Sequence, residues 1–252
     1  MQVIPVIDLK GGQVVRGIGG QRAQYRAVQS QLVSSSAAGP VAQALVDIVQ
    51  HRQLYIADLD AIGGADPDWR AYEQVMASGA DIIIDAGIAT PDAAQAVVDF
   101  SARHSARTSI IVALESSSSP DDLPGIFSRI DAGRAVFSLD LKHGLALTNG
   151  VAWQRLSVLD IAACAVEIGF ERMIVLDVAA VGVGKGPQVV DLCRDIRARN
   201  PQLELISGGG VRSVDDLRTF HEAGCDGVLV ASALHDGKLT RSDLQNCDVL
   251  HE

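Results

Sequence analysis

The sequence predicts an α/β fold, a (β/α)8 TIM barrel built from two homologous half-barrels and filling residues 1–252 as a single domain. Three observations predict it. Eight short apolar runs alternate with amphipathic stretches along 252 residues, a length that suits one such barrel. The runs are Val/Ile/Leu-rich and continuous, as parallel strands buried on both faces are. The chain also repeats three motifs in the same order. IPVIDLKGG (4–12) returns as VFSLDLKHG (136–144), LYIADLDAIGG (54–64) as MIVLDVAAVGVG (173–184), and IIIDAGIATPDA (82–93) as LISGGGVRSVDD (205–216). The matched positions lie 132, 119 and 123 residues apart, near half the chain, which points to two homologous halves. An open doubly wound sheet, the runner-up, has no reason for that repeat.

The strands are expected at 2–8, 53–58, 81–85, 108–114, 134–140, 172–177, 203–207 and 227–231. Between them, 40–50 and 91–104 each place Pro in a plausible first helical turn, 189–200 ends in basic residues that suit a helix C-terminus, and 213–224 opens on a Ser cap and closes at Gly224. Residues 17–39, 115–122 and 143–150 read as loops. Each follows a strand, so in a barrel all three reach the catalytic face.

Composition narrows the function. The chain is 48% hydrophobic with a net charge of −10, which argues against nucleic-acid and anionic-membrane partners. Four cysteines, Cys164, Cys193, Cys225 and Cys247, form no C-x-x-C pair and no zinc pattern. They read as reduced thiols of a cytoplasmic protein. No signal peptide or membrane span is expected, and no metal or cofactor is called for.

Two features carry chemistry. SGGGVRS (207–213) follows a strand and precedes a helix, and VASAL (230–234) ends the next strand. Glycine backbones let amides approach an anion closely, and a phosphate between the seventh and eighth units is a common barrel arrangement. The expected contacts are Gly208, Gly209, Gly210, Ala231 and Ser232. The second feature is the pair Asp8 and Asp140, each closing an apolar run in its own half. Two carboxyls in one pocket can divide the work of acid and base, because burial and like charge raise a pKa. Asp58 and Asp177 close the second and sixth strands, where they either orient substrate hydroxyls or hold loops. Arg16 is a candidate for binding phosphate or carboxylate. His143 is a candidate proton carrier, and Trp153 is either a stacking platform or a core residue.

Taken together, IPVIDLKGGQVVRG, YIADLDAIGG, SLDLK, SGGGVRSVDDL and VASALHDGK resemble the isomerase barrel of histidine biosynthesis, the phosphoribosylformimino-AICAR phosphate isomerase family, sister to the cyclase of the same pathway. The resemblance covers almost the whole chain. It implies an Amadori rearrangement of an aminoaldose phosphate, with Asp8 as base, Asp140 as acid and two substrate phosphates gripped by the two halves. Departures are visible. The family's third strand ends in Gly-Gly-Gly-Ile-Arg, whereas this chain has Asp85, Ala86 and Ala89 at three of those positions. After strand six, Leu176 and Val181 stand where the family carries Thr and Asp. The first loop reads GGQRAQYR, and Ala231 replaces a glycine. The expectation is therefore a divergent sugar-phosphate isomerase whose substrate carries one phosphate. The alternatives are the authentic family isomerase, a barrel of methanopterin or methanofuran one-carbon cofactor synthesis, and a non-catalytic barrel that binds a phosphorylated metabolite.

Overall fold

The computed structural model describes residues 1–49, 52–104, 107–184 and 186–250. Its frame is a closed parallel barrel. The eight barrel strands are β1 (Gln2–Lys10), β2 (Gln53–Asp58), β3 (Asp81–Asp85), β4 (Thr108–Ala113), β5 (Ala135–Lys142), β6 (Arg172–Asp177), β7 (Glu204–Gly208) and β8 (Gly227–Val230). Each pairs in parallel with the next, and β8 returns to β1 with Ile4 opposite Leu229. All eight expected strands are found, with boundaries shifted by at most two residues. Short antiparallel additions, Gln13–Arg16, Arg26–Ala27 and Leu145–Ala146, extend β1 and β5.

Burial explains why these runs become strands. From Ile82 to Ile84, and from Ile110 to Ala113, every side chain is buried, one set facing the barrel interior and the other the helical ring. The interior set includes Ile4, Tyr55, Ile83, Ile111, Val136, Ile174 and Ile206. The outer layer packs against α1 (Ala38–Ile48), α2 (Trp69–Met76), α3 (Pro91–Ala102), α4 (Leu123–Phe127), α5 (Val158–Ile168), α6 (Val190–Arg199), α7 (Val214–Glu222) and α8 (Arg241–Gln245). The four helices foreseen at 40–50, 91–104, 189–200 and 213–224 are α1, α3, α6 and α7; residue 50 lies outside the described residues. Thr90 caps α3 ahead of Pro91, and Ser213 caps α7 through the Asp216 amide.

The register repeats between halves. Asp8 is opposite Ala57, which is opposite Asp85; Asp140 is opposite Leu176, which is opposite Gly208. The sequence repeat thus delivers matched residues to matched levels at the C-terminal end of the barrel.

Candidate active site

A cavity of about 290 Å³ opens at that end. Its walls include Asp8, Arg22, Tyr55, Asp85, Glu115, Asp140 and Lys142 together with Gly209, Gly210, Ala231 and Ser232. The two carboxyls expected to work together therefore open on the same space. Asp8 sits against Gly17, where a Cβ would come within 2.8 Å of its Oδ2, so a side chain at position 17 would push on this acid. Burial raises the Asp8 carboxyl to about 7, while the Arg22 guanidinium pulls the other way. Asp140 is pushed further, to about 8, first by burial and then by the Asp85 charge. It accepts a hydrogen bond from the Ser138 hydroxyl at 2.8 Å. The acid with the higher value is suited to hold a proton, and its partner to take one.

The glycine turn after β7 has the form an anion site needs. Gly209 and Gly210 take φ of +86° and +78°. A Cβ on Gly210 would lie 2.4 Å from the Gly186 carbonyl oxygen, so space and backbone conformation both require glycine. The amides of Gly210 and Val211 donate to no backbone carbonyl among the described residues. Gly208 itself belongs to β7. Ala231 and Ser232 stand at the end of β8, where Ser232 begins the short helix Ser232–His235.

Four expected contacts do not line the cavity: Gly208, set within β7, and Arg16, Asp58 and Asp177. Arg16 is not among the residues lining this cavity: its guanidinium forms a fork with Asp236 at 2.6 and 2.7 Å, which ties the first hairpin to the segment after β8. Asp58 is buried outside the cavity and accepts from the amides of Ala61 and Asp68 and from the Tyr72 hydroxyl. Asp177 accepts from the amides of His143, Gly144 and Ala179. Of the two roles open to these aspartates, loop holding is the one their geometry serves. His143 is exposed in a left-handed turn with φ of +55°, outside the cavity, and Trp153 is fully buried with its indole N–H donating to Ser117.

Other residues enter the site unannounced. Arg22, from the first loop, grips Glu115 through two bonds of 2.7 Å. Glu115 immediately follows the apolar run of β4, a strand-end position that could have flagged it. Tyr55 projects into the cavity from β2, inside a run that reads as uniform core. Asp85 is buried, accepts from the Gly87 amide at 3.1 Å, and is raised to about 7, chiefly by burial. Among the described residues, no cluster of His, Cys, Asp and Glu could hold a metal ion, and no helix is long and apolar enough to cross a membrane.

Comparison with known proteins agrees with this geometry. The family described as "Histidine biosynthesis protein" matches residues 2–240. A protein of Syntrophomonas wolfei is 30% identical over 244 residues, covering 95% of each chain. A Bacteroides fragilis protein is 27% identical over 253 residues, covering 97% of this chain and 98% of its own. A Halobacterium salinarum protein is 28% identical over 251 residues, covering 96% and 95%. All three are named 1-(5-phosphoribosyl)-5-((5-phosphoribosylamino)methylideneamino)imidazole-4-carboxamide isomerase. With its closed barrel and near full-length match, this chain belongs to the histidine biosynthesis protein family and is an isomerase of that family's (β/α)8 type.

Proposed function

We propose that the chain isomerises a phosphorylated aminoaldose to the corresponding ketose by acid/base chemistry, with Asp140 as acid and Asp8 as base. The observation that carries this reading is the placement of both carboxyls around one cavity that the glycine turn after β7 also lines. Asp140 gives its proton to the ring oxygen as the C1–O bond breaks and the amine lone pair forms the C1=N bond. The Asp8 carboxylate then takes the proton from C2, leaving an enolamine that tautomerises to the ketose. Gly209, Gly210, Ala231 and Ser232 hold a substrate phosphate.

The substrate named for the relatives is the first candidate, because the match runs almost the length of both chains. One observation favours a second reading, in which the chemistry is kept and the substrate differs. Asp85 stands in the first half where Gly208 stands in the second, and it occupies the Gly87 amide.

The test is turnover of the relatives' substrate by the purified chain, by Asp8→Asn and by Asp140→Asn, together with growth of a histidine auxotroph. Removing a general acid or base typically costs about 10²–10⁴-fold in rate. Turnover and growth that vanish in both variants support the first reading. No turnover of that substrate, with Asp140-dependent isomerisation of another aminoaldose phosphate, supports the second. Full turnover in either variant refutes the proposal.

A further inference from the structure

The two ends of the cavity share a left-handed glycine at a matched position and offer opposite chemistry. Segment 82–90 matches 205–213 in sequence, so Asp85 answers Gly208 and Gly87 answers Gly210. Both turns retain a left-handed glycine, with φ of +64° at Gly87 and +78° at Gly210. Both press it against a neighbouring loop: a Cβ on Gly87 would lie 2.5 Å from the Ala61 carbonyl oxygen, as one on Gly210 would lie 2.4 Å from that of Gly186. The two turns thus share a left-handed glycine at one matched position, whereas Ala86 lacks the left-handed φ that Gly209 takes.

What the turns present differs. The Gly210 amide is unclaimed by any backbone carbonyl among the described residues. The Gly87 amide is taken by Asp85 Oδ1, and the Asp85 carboxyl forms part of the cavity wall beside Asp140 and Glu115. The guanidinium at this end, Arg22, already spends both terminal nitrogens on Glu115. A phosphate arriving here would find a spoken-for amide, a paired cation and a row of carboxyls, and an anion among desolvated carboxyls is strongly disfavoured. A second observation points to a ligand rather than to a merely acidic wall. Tyr55 is 5% exposed, lines the same space, and its hydroxyl has no protein hydrogen-bond partner among the described residues. The hydroxyl is not among the buried polar atoms left without a partner, so it opens on the cavity, where a ligand can take its hydrogen-bonding capacity.

We infer that the first-half end of the cavity, formed by Asp85 and Tyr55, binds a protonated amine of the substrate distinct from the C1 nitrogen whose lone pair opens the ring, while its single phosphate rests on the Gly209–Gly210 turn. The substrate class is an amine-bearing monophosphate ester, and Asp85 is the residue that selects it. The inference rests on the second isomerase reading, in which the chemistry is kept and the substrate is not the relatives' compound with its two phosphoribosyl groups.

Equilibrium binding of three matched probes tests it without turnover: aminobutyl phosphate, butyl phosphate and butanediol bisphosphate. The native protein binds the amine probe about tenfold or more tighter than butyl phosphate, equivalent to ~1.4 kcal/mol, and gains nothing from the second phosphate. Asp85→Asn abolishes the amine preference, and Asp85→Gly reverses the order in favour of the bisphosphate. Tightest binding of the bisphosphate by the native protein, or an order unchanged in a folded Asp85→Asn, overturns the inference. Asp140→Asn separates the two levels. If it keeps turnover, the acid/base reading fails while the Asp85-dependent probe order stands; if it loses turnover and the native protein shows no amine preference, only the end-selectivity fails.

Discussion

At the residue scale, the three buried carboxyls set how activity and stability respond to pH. Asp8 is raised to about 7 and Asp140 to about 8, both mainly by burial. If Asp8 works as the base and Asp140 as the acid, kcat is bell-shaped with its maximum between those values, and the two limbs belong to the coupled pair. Because the Asp85 charge helps raise Asp140, Asp85→Asn moves the alkaline limb to lower pH, which a kcat–pH profile measures directly. Stability follows a different curve. For a carboxyl raised from 3.8 to about 7 or 8, the folded protein holds a proton that the unfolded chain has released. The unfolded state then binds fewer protons, so stability is full below about pH 4 and is lost as pH rises through the folded value. Asp85→Asn removes one such group. Its unfolding free energy gains more over the native protein at about pH 8 than at about pH 4, by an amount on the order of 1–3 kcal/mol read from denaturant melts; an equal gain at both would contradict the burial argument. Asp8 and Asp140 were legible because the repeat marks them twice. The roles of Arg16, Asp58 and Asp177 stay open in the sequence because their partners decide them, and those partners are distant or structural: Asp236 lies 220 residues from Arg16, and Tyr72 reaches Asp58 from a helix. Arg22 carries no signal of its own, since a loop arginine becomes a site residue only when Glu115 meets it.

At the element scale, the strands were readable because burial on both faces leaves an unbroken apolar run, and the capped helices because Ser, Thr and Pro announce their first turns. Loop paths were not readable from composition, since they depend on which carbonyl a turn must pass. The turn after β7 illustrates this: Gly210→Ala would put a methyl 2.4 Å from the Gly186 oxygen at a φ of +78°. The substitution forces the turn off its path, and titration with inorganic phosphate shows weaker binding together with a loss of stability above about 1 kcal/mol. The loop after β2 responds in the opposite way. Asp58→Ala strands the Tyr72 hydroxyl and two amides, the Ala61 amide and the Asp68 amide, at about 1–3 kcal/mol for each buried group left unpaired. Denaturant melts show the deficit, while kcat of the surviving folded protein stays within about threefold of native because Asp58 is not in the cavity wall. A loss on the scale of Asp140→Asn would return Asp58 to the chemistry.

At the scale of the whole molecule, a barrel with matched halves raises the question of whether each half melts by itself. The packing answers against it. One core cluster runs from Val3 to Val249 and includes residues of all eight strand–helix units. The halves share two seams: β4 pairs with β5 from Ile110 opposite Ala135, and β8 pairs with β1 from Gln2 opposite Gly227. Opening either half exposes an apolar strand edge of the other, and the Arg16–Asp236 fork and the bond from the Met1 amino group to the Val249 carbonyl clasp the chain ends across the second seam. Unfolding one half alone therefore forfeits burial in both, the condition under which a single cooperative transition is expected. The sequence supplies its own reporters, because its two tryptophans fall in different halves, Trp69 on α2 and Trp153 beyond β5. Single-tryptophan variants, Trp153→Phe and Trp69→Phe, followed by fluorescence during urea unfolding and each compared with far-UV circular dichroism of the same variant, report the halves separately. The fluorescence and dichroism curves of each variant coincide in midpoint and slope. A tryptophan transition that separates from the dichroism of its own variant would mean that one half retains structure after the other is lost, and that the seams are weaker than the continuous core makes them.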